Sequence, residues 1–313
     1  MAPDPALLHR FRAPLGAIDA SPAPLGIAVS GGPDSLALLL LADAAWPGRV
    51  RAATVDHQLR PESAAEAAFV AAICAGRDIP HAILVPETPI TGSLQNAARV
   101  ARYALLERWR AEEGALCVMT AHHADDQAET LLMRLNRGAG VSGLAGIRET
   151  NGRLVRPLLG WRRAELEDLV AAAGIVPLRD PSNADPRFDR VRTRQAIAQA
   201  SWISVASMAQ SAANLADAAA ALDWMTERLA AERIAAEGEA LVLDPRDLPV
   251  ELVRRLLLAA IVRLDPAAAP AGPALDRALV ALHAGRKASL GALLLQGGPL
   301  WRLAAAPPRR TPG

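Results

Sequence analysis

The first 150 residues of this chain alternate short apolar runs with stretches of helical pattern, and few folds accommodate that order. The apolar runs show no polar alternation, which is typical of strands buried on both faces. They predict strands at Leu25–Ser30, Val50–His57, His81–Pro86 and Ala115–His122. Helical stretches lie between them, at Ser35–Trp46, Ala64–Arg77 and Leu94–Glu113. This order predicts an α/β fold with a doubly wound parallel sheet and right-handed crossovers.

The pattern changes after about residue 150. The later stretches predict a last strand, a polar loop and two alanine-rich helices, at Val155–Leu159, Pro177–Arg194, Val205–Glu237 and Leu252–Leu264. We therefore expect a larger domain at 1–204 and a smaller, mainly α-helical domain at 205–313. The proline-rich end of the chain, Pro307–Gly313, predicts a disordered tail.

Bulk properties exclude several classes of protein. The N-terminus has no apolar signal core, and no apolar run is long enough to span a bilayer, so we expect a cytoplasmic protein without a membrane partner. The two cysteines, Cys74 and Cys117, lie far apart and form no CxxC pair. The net charge is +1, so any site for a polyanion must be a local patch.

A loop typical of phosphate binding follows the first predicted strand. Its six residues are Ser30, Gly31, Gly32, Pro33, Asp34 and Ser35. The glycines let the backbone approach an anion, and the N–H groups at the start of the next helix supply positive potential. Asp34 makes sense as a contact to Mg²⁺ bridging phosphates. The alternative is an ordinary strand–helix turn with a Ser or Asp cap. Spacing and the missing lysine exclude a Walker A motif.

A second polar cluster, Thr120–Thr130, begins where the fourth predicted strand ends. It holds His122, His123, Asp125, Asp126 and Glu129. Spacings of three and four place His122, Asp126 and Glu129 on one helical face. Acidic capping of the helix is one explanation, but capping does not need the histidines. A zinc site would not have this spacing. The third explanation is a site for an amine nucleophile and Mg²⁺, with a neutral histidine that orients or deprotonates the amine.

Several arginines are candidates for nucleic-acid contact. Five lie within sixteen residues and alternate with Asp180, Asp185 and Asp189: Arg179, Arg187, Arg190, Arg192 and Arg194. They fit either a salt-bridged surface loop or, as the family resemblance described below implies, an electropositive edge that faces RNA phosphates. Arg99 and Arg102, one turn apart on the third predicted helix, are further candidates. Asp56, at the end of the second predicted strand, is either near a nucleotide or a strand-end cap.

Taken in order, these motifs resemble those of one family. The SGGPDS loop is similar to that of the PP-loop ATP pyrophosphatases. The resemblance narrows to tRNA(Ile)-lysidine synthases at Val55–Ala67 (VDHQLRPESAAEA), Asn96–Leu106 (NAARVARYALL), Thr120–Ile147 and Pro177–Arg194. Together they cover about the first 195 residues.

The resemblance implies both a fold and an activity. The fold is adenine-nucleotide α-hydrolase-like, with an ATP-binding catalytic domain at 1–204 and a tRNA-binding domain at 205–313. Members of the family join L-lysine to C2 of the wobble cytidine of tRNA(Ile) with a CAU anticodon. The C2 oxygen first attacks the α-phosphate of ATP, which releases pyrophosphate, and lysine then displaces AMP. A homodimer is compatible with the resemblance.

The resemblance also suggests roles for the polar residues. The loop Ser30–Ser35 and Asp56 would bind ATP, and Asp34 and Asp126 would bind Mg²⁺. Catalytic roles would fall to Asp34, His122, His123 and Asp126, and lysine would be bound by Asp125, Asp126 and Glu129. The arginines given above would contact tRNA.

The chain departs from the family pattern at two places. Gln58 stands where the family usually has glycine, and Gln195–Val205 lacks the usual Leu-Leu-Pro-like stretch. Rival functions are tRNA thiolation, an ammonia-dependent synthetase of the NAD or GMP type, and nucleotide binding without catalysis. Thiolation is disfavoured because the two cysteines have no CxxC setting. An ammonia-dependent synthetase is disfavoured because no glutaminase domain is visible in the sequence. Binding without catalysis does not explain the histidine and carboxylate cluster.

Overall fold

A computed structural model describes residues 3–58, 62–87, 94–178 and 185–306. The chain divides into two compact units, Met1–Ala216 and Asp217–Gly313. The predicted tail at 307–313 lies outside the described residues. Within the described ranges, no helix is both long enough and apolar enough to cross a membrane.

The first unit is built on a six-stranded sheet with the strand order β3-β2-β1-β4-β6-β5. Its strands are β1 (Leu25–Ala28), β2 (Val50–Val55), β3 (His81–Leu84), β4 (Val118–Met119), β5 (Thr150–Asn151) and β6 (Leu154–Val155). All neighbouring pairs are parallel except β5 and β6, which form an antiparallel hairpin. The predicted doubly wound parallel sheet is therefore confirmed, although the strands are shorter than their apolar runs.

The first unit also contains the helices α1 (Pro5–Arg12), α2 (Gly16–Asp19), α3 (Pro33–Ala45), α4 (Ser63–Ala75), α5 (Leu94–Glu112), α6 (Ala124–Leu135), α7 (Val141–Leu144), α8 (Arg163–Ala172) and α9 (Asp189–Gln199). Of these, α3, α4 and α5 pack directly on the strands. The most deeply buried helix is α3, in which Leu36–Leu39 are fully inaccessible to solvent. Part of the predicted polar loop Pro177–Arg194 is helical, because α9 begins at Asp189.

The strand order explains why the polar motifs meet. The chain moves outward from β1 through β2 to β3, then returns to place β4 on the other side of β1. Such a switch point opens a crevice at the carboxyl ends of the two central strands. The loop after β1 and the cluster after β4 both lie at this edge.

The second unit contains a five-stranded antiparallel sheet with the order β7-β8-β11-β10-β9. Its strands are β7 (Ile234–Glu237), β8 (Ala240–Leu243), β9 (Lys287–Leu290), β10 (Leu293–Gln296) and β11 (Trp301–Ala305). Its helices are the end of α10 (Val205–Arg233), α11 (Val250–Leu264) and α12 (Gly272–His283). The unit has its own core around the fully buried Leu243, Leu256 and Leu303.

The second unit is mainly helical, as predicted, but it also contains a sheet that the prediction lacks. Its two predicted helices exist, as α10 and α11, but the prediction missed the sheet. The stretch Ile234–Glu237 was expected to be helical because alanine and glutamate favour helices. It is instead a strand, since it pairs with β8 across the turn at Gly238.

Candidate active site

The loop between β1 and α3 is held by its own serines. The Ser30 backbone N–H donates to Ser35 Oγ (3.1 Å), and Ser35 Oγ donates to the Gly32 carbonyl (3.0 Å). Helix α3 begins after Gly32, with Pro33 in its first turn and without a side-chain cap. Its first N–H groups are therefore free to bind an anion, as the phosphate-loop interpretation requires.

The two glycines of the loop have different constraints. Gly31 has a φ of +82°, and a Cβ there would lie 2.6 Å from Leu178 Cδ1. The Gly31 carbonyl accepts from the Leu178 N–H (2.9 Å), which ties the loop to a distant segment. Gly32 has ordinary dihedral angles, and a Cβ there would meet only Ser30 Oγ, at 3.7 Å. A Cβ is therefore destabilising at position 31 and tolerated at position 32.

A cavity of about 260 Å³ opens beside this loop. The phosphate loop, β2, α5, the end of β4, α6 and α9 each contribute to its wall. The lining residues are Ala28, Val29, Ser30, Gly32, Asp34, Ser35, Ala53, Val55, Arg102, Tyr103, Leu106, Thr120, Ala121, His122, Asp126 and Arg190. Two predicted motifs far apart in the sequence thus share one cavity.

The adjacent histidines have opposite electrostatic surroundings. His122 lines the cavity, with Nδ1 3.1 Å from Thr120 Oγ1. Burial, together with the charges of Arg156, Arg190 and Arg99, lowers the pKa of His122 to about 4, although Asp126 acts in the opposite direction. His122 is therefore neutral near pH 7 and can accept a proton.

His123 is only 3% exposed and does not line the cavity. Its ring nitrogens lie 3.6 Å from oxygens of Asp34, Asp125 and Asp126, a distance that fits ion pairs and is too long for hydrogen bonds. Burial opposes protonation, but the three carboxylates outweigh it and raise the pKa of His123 to about 10. His123 is therefore an imidazolium that holds these carboxylates together.

Asp126 and Glu129 are paired with arginines of α9. Arg190 donates to Asp126 Oδ1 and Glu129 Oε2, both at 2.7 Å, and Arg194 donates to Glu129 Oε1 at 2.6 Å. Glu129 is 1% exposed and is absent from the cavity wall. Asp126 also accepts from the His123 N–H (3.1 Å), so the capping interpretation holds for this residue. The family resemblance predicts that five arginines of this segment contact tRNA, but two of them, Arg190 and Arg194, face inward.

Asp125 is also paired within the protein. Arg162 binds both of its oxygens (3.1 and 3.2 Å), and the Arg163 N–H donates to Oδ2 (2.9 Å). Burial would raise the pKa of Asp125, but His123, Arg162 and the Arg163 N–H hold it far below its usual range. The structure does not place Asp125 on the cavity wall.

The other predicted site residues are more scattered. Asp56 lies outside the cavity wall, and its Oδ1 accepts from the Gln58 N–H (2.8 Å), as the capping interpretation expects. Exposed Arg187 and Arg192 pair locally with Asp185 and Asp189, as in a salt-bridged surface. Arg179 lies outside the described residues.

Known proteins match this chain over most of its length. A family model described as a PP-loop domain matches residues 8–201. The tRNA(Ile)-lysidine synthase of Zymomonas mobilis is 46% identical over 91% of this chain and 89% of its own length. That of Novosphingobium aromaticivorans is 47% identical over 96% of this chain and 94% of its own length.

The chain belongs to the tRNA(Ile)-lysidine synthase family. Among solved structures, the U34-tRNA thiolase NcsA from Methanococcus maripaludis has the same fold, with a TM-score of 0.57. It is 16% identical and is matched over 68% of this chain and 78% of its own length. The expected adenine-nucleotide α-hydrolase-like fold is thereby confirmed.

In this member of the lysidine synthase family, sequence reasoning missed part of the cavity. Tyr103 lines the cavity but was not among the predicted site residues. It is the only tyrosine in the chain, and that rarity could have drawn attention to it. A second cavity of about 380 Å³ shares Tyr103 and Leu106 with the first. Its wall also contains Arg99, Arg153 and Arg156. Arg156 is 5% exposed and has a buried Nε without a partner in the described structure.

Proposed function

We propose that this protein uses ATP to join L-lysine to C2 of the wobble cytidine of tRNA(Ile) with a CAU anticodon, in the cytoplasm. One observation carries the proposal. A single cavity contains both the phosphate loop and the His122–Asp126 end of α6, in a chain that matches lysidine synthases over nine-tenths of its length.

ATP fits the loop side of the cavity. The uncapped start of α3 and the hydroxyl of Ser30 offer donors to phosphate oxygens. Gly32, whose side-chain position is open, lets the phosphates approach the backbone. Splitting ATP at the α-phosphate then leaves pyrophosphate on this loop and AMP on the cytidine oxygen.

Mg²⁺ fits the residues beside the loop. Asp34 Oδ1 is buried without a hydrogen-bond partner, and Asp34 and Asp126 both line the cavity within 3.6 Å of the same His123 nitrogen. The described residues contain no ready group of three His, Cys, Asp or Glu ligands, so phosphate oxygens and water would complete the coordination. When bound, Mg²⁺ would offset the charge that builds up on the phosphates.

The second step needs an uncharged amine. Neutral His122 is the cavity group able to accept a hydrogen bond from that amine and to take its proton as the C–N bond to C2 forms and the nitrogen becomes acidic. As the C–N bond forms, the bond between C2 and its oxygen breaks, and AMP leaves with that oxygen on its phosphate. His123 is already protonated and enclosed, so it positions Asp34 and Asp126 instead.

We place the lysine across the wall shared by the two cavities. Its ε-amine would face Asp126 and His122, and its carboxylate would face the arginine-lined second cavity. The sequence-based assignment to Asp125 and Glu129 has less support, because both are closed by arginines.

For tRNA, the arginines that support contact are the exposed Arg187 and Arg192, together with Arg99 on α5. The second unit, which the relatives share, is proposed to bind tRNA as well. The target base must be unstacked to enter the cavity, which an anticodon loop permits.

The test is an omission experiment with purified protein, ATP, Mg²⁺, labelled L-lysine and tRNA(Ile) bearing CAU. AMP and pyrophosphate release that requires the tRNA, with lysine ending on it, is the expected result. Methionine tRNA with the same anticodon serves as the control RNA. Release without lysine consumption would indicate another base modification, such as thiolation. Absence of release in every mixture would indicate nucleotide binding without catalysis.

A further inference from the structure

Arg102 is the uncompensated positive charge of the nucleotide cavity. The cavity wall contains two arginines, Arg102 and Arg190. Arg190 is already bound to two carboxylates, Asp126 and Glu129. By contrast, no carboxylate in the described part of the chain forms an ion pair with Arg102. The wall has no lysine, since the only lysine of the chain is Lys287 in the second unit.

His57 holds the Arg102 guanidinium. Arg102 Nε donates to His57 Nε2 at 3.3 Å. Burial and the Arg102 charge lower the pKa of His57 despite Asp56, so the ring is neutral and Nε2 can accept. Its proton then resides on Nδ1, which is buried without a partner in the described structure.

The backbone turn next to His57 fixes the position of this residue. His57 follows β2, whose residues Ala53 and Val55 also line the cavity. The next residue, Gln58, has a φ of +53° and donates its N–H to Asp56 Oδ1. A left-handed conformation is strained for a residue other than glycine, so the contacts around this turn must hold it in place.

We propose that Arg102 binds phosphate oxygens of ATP and that His57 is its positioning residue. The inference rests on the proposed use of ATP and departs from the sequence-based assignment of Arg102 to tRNA. ATP carries several negative charges, and the loop N–H groups and one Mg²⁺ offset only part of them. The Arg102 guanidinium, which has no carboxylate partner in the described part of the chain, supplies positive charge in a cavity that has no lysine.

The first test compares Arg102→Ala and Arg102→Lys with Arg108→Ala. Arg108 is an exposed control on the same helix, paired with Glu87. Dissociation constants for ATP and for tRNA are measured separately, the latter at several salt concentrations. Arg102→Ala should weaken ATP binding by about tenfold or more, Arg102→Lys should weaken it less, and Arg108→Ala should have no effect. Affinity for tRNA and its salt dependence should stay unchanged.

The second test asks whether His57 acts through Arg102. His57→Leu should weaken ATP binding by a few-fold, whereas His57→Gln, which keeps an acceptor, should restore most of it. In the double variant Arg102→Ala/His57→Leu, the loss should equal that of Arg102→Ala, because a positioning residue has nothing left to position. Additive losses would overturn the role of His57.

Weaker tRNA binding with unchanged ATP affinity would overturn the role of Arg102 and return it to the tRNA surface. Unchanged affinity for both ligands would overturn it equally. Because ATP binding is measured directly, these outcomes are separate from failure of lysidine formation by the unaltered protein, which would overturn the proposed function instead.

Discussion

At the residue scale, the site depends on one buried cation. His123 lies among Asp34, Asp125 and Asp126, and their charges raise its pKa from 6.5 to about 10 despite burial. A group whose pKa is raised by folding stabilises the folded state fully below its unfolded pKa. That stabilisation is lost as the pH rises through the folded pKa.

We therefore expect the stability conferred by His123 to be complete below about pH 6.5 and to disappear near pH 10. Thermal unfolding would be followed from pH 6 to pH 10 in EDTA, so that no divalent cation replaces the imidazolium. His123→Gln should unfold at a lower temperature than the unaltered protein at pH 7, and the gap should close toward pH 10. A gap that stays constant with pH would contradict a charge effect.

Alanine substitutions at Gly31 and Gly32 should have different effects on stability and on ATP binding. Gly31→Ala forces a left-handed residue with a Cβ and should cost about 1–2 kcal/mol of unfolding free energy. Gly32→Ala should leave stability unchanged, because its Cβ has room, yet raise the KM for ATP by filling the phosphate approach. Denaturant unfolding and initial-rate kinetics separate these effects. Equal destabilisation by both would contradict the assigned difference.

At the scale of elements, α9 acts through its inward face. Arg190 and Arg194 tie it to α6 through Glu129, which is 1% exposed. Glu129→Gln should therefore lower the unfolding free energy by about 2–3 kcal/mol, since both guanidinium groups lose a charged acceptor. The matched control is Asp185→Asn, which removes an exposed pair with Arg187 on the same segment and should change little.

The same variant distinguishes two roles for Glu129. A lysine ligand would raise the KM for lysine well above any change in the KM for ATP. The structure instead places Glu129 behind the cavity wall, so both constants should move together. Initial rates at varied lysine and ATP give the answer, and a selective lysine effect would restore the sequence-based assignment.

The sequence predicts the local elements of this fold better than the contacts between them. Every predicted strand and helix of the first unit exists, because apolar runs and helical patterns are local signals. The loop Ser30–Ser35 and His122 could be located because each stands at the end of a predicted strand. The pairing of Glu129 with Arg190 was not foreseeable, since 61 residues separate them and spacing cannot tell an ion pair from a site for a cationic substrate. The sheet of the second unit was missed because its strands have four or five residues and contain many helix-forming residues.

At the scale of the whole molecule, each unit has a core of its own. Leu36, Leu38 and Leu39 are buried in the first, and Leu243 and Leu303 in the second. All residues that line the cavity of about 260 Å³ beside the loop Ser30–Ser35 belong to the first unit. A ligand stabilises only the unfolding transition that destroys its site, by about 2.7 kcal/mol at a concentration of 100 Kd.

ATP with Mg²⁺ should therefore slow amide hydrogen exchange in α3 and β1 far more than in β8 and β11. Exchange would be followed by mass spectrometry with and without saturating nucleotide, and Asp34→Ala would serve as the control with impaired binding. Equal slowing in both sheets would show that the two cores unfold as one cooperative structure. Selective slowing means that the second unit can be destabilised without loss of ATP binding, because its core contributes no residue to the cavity.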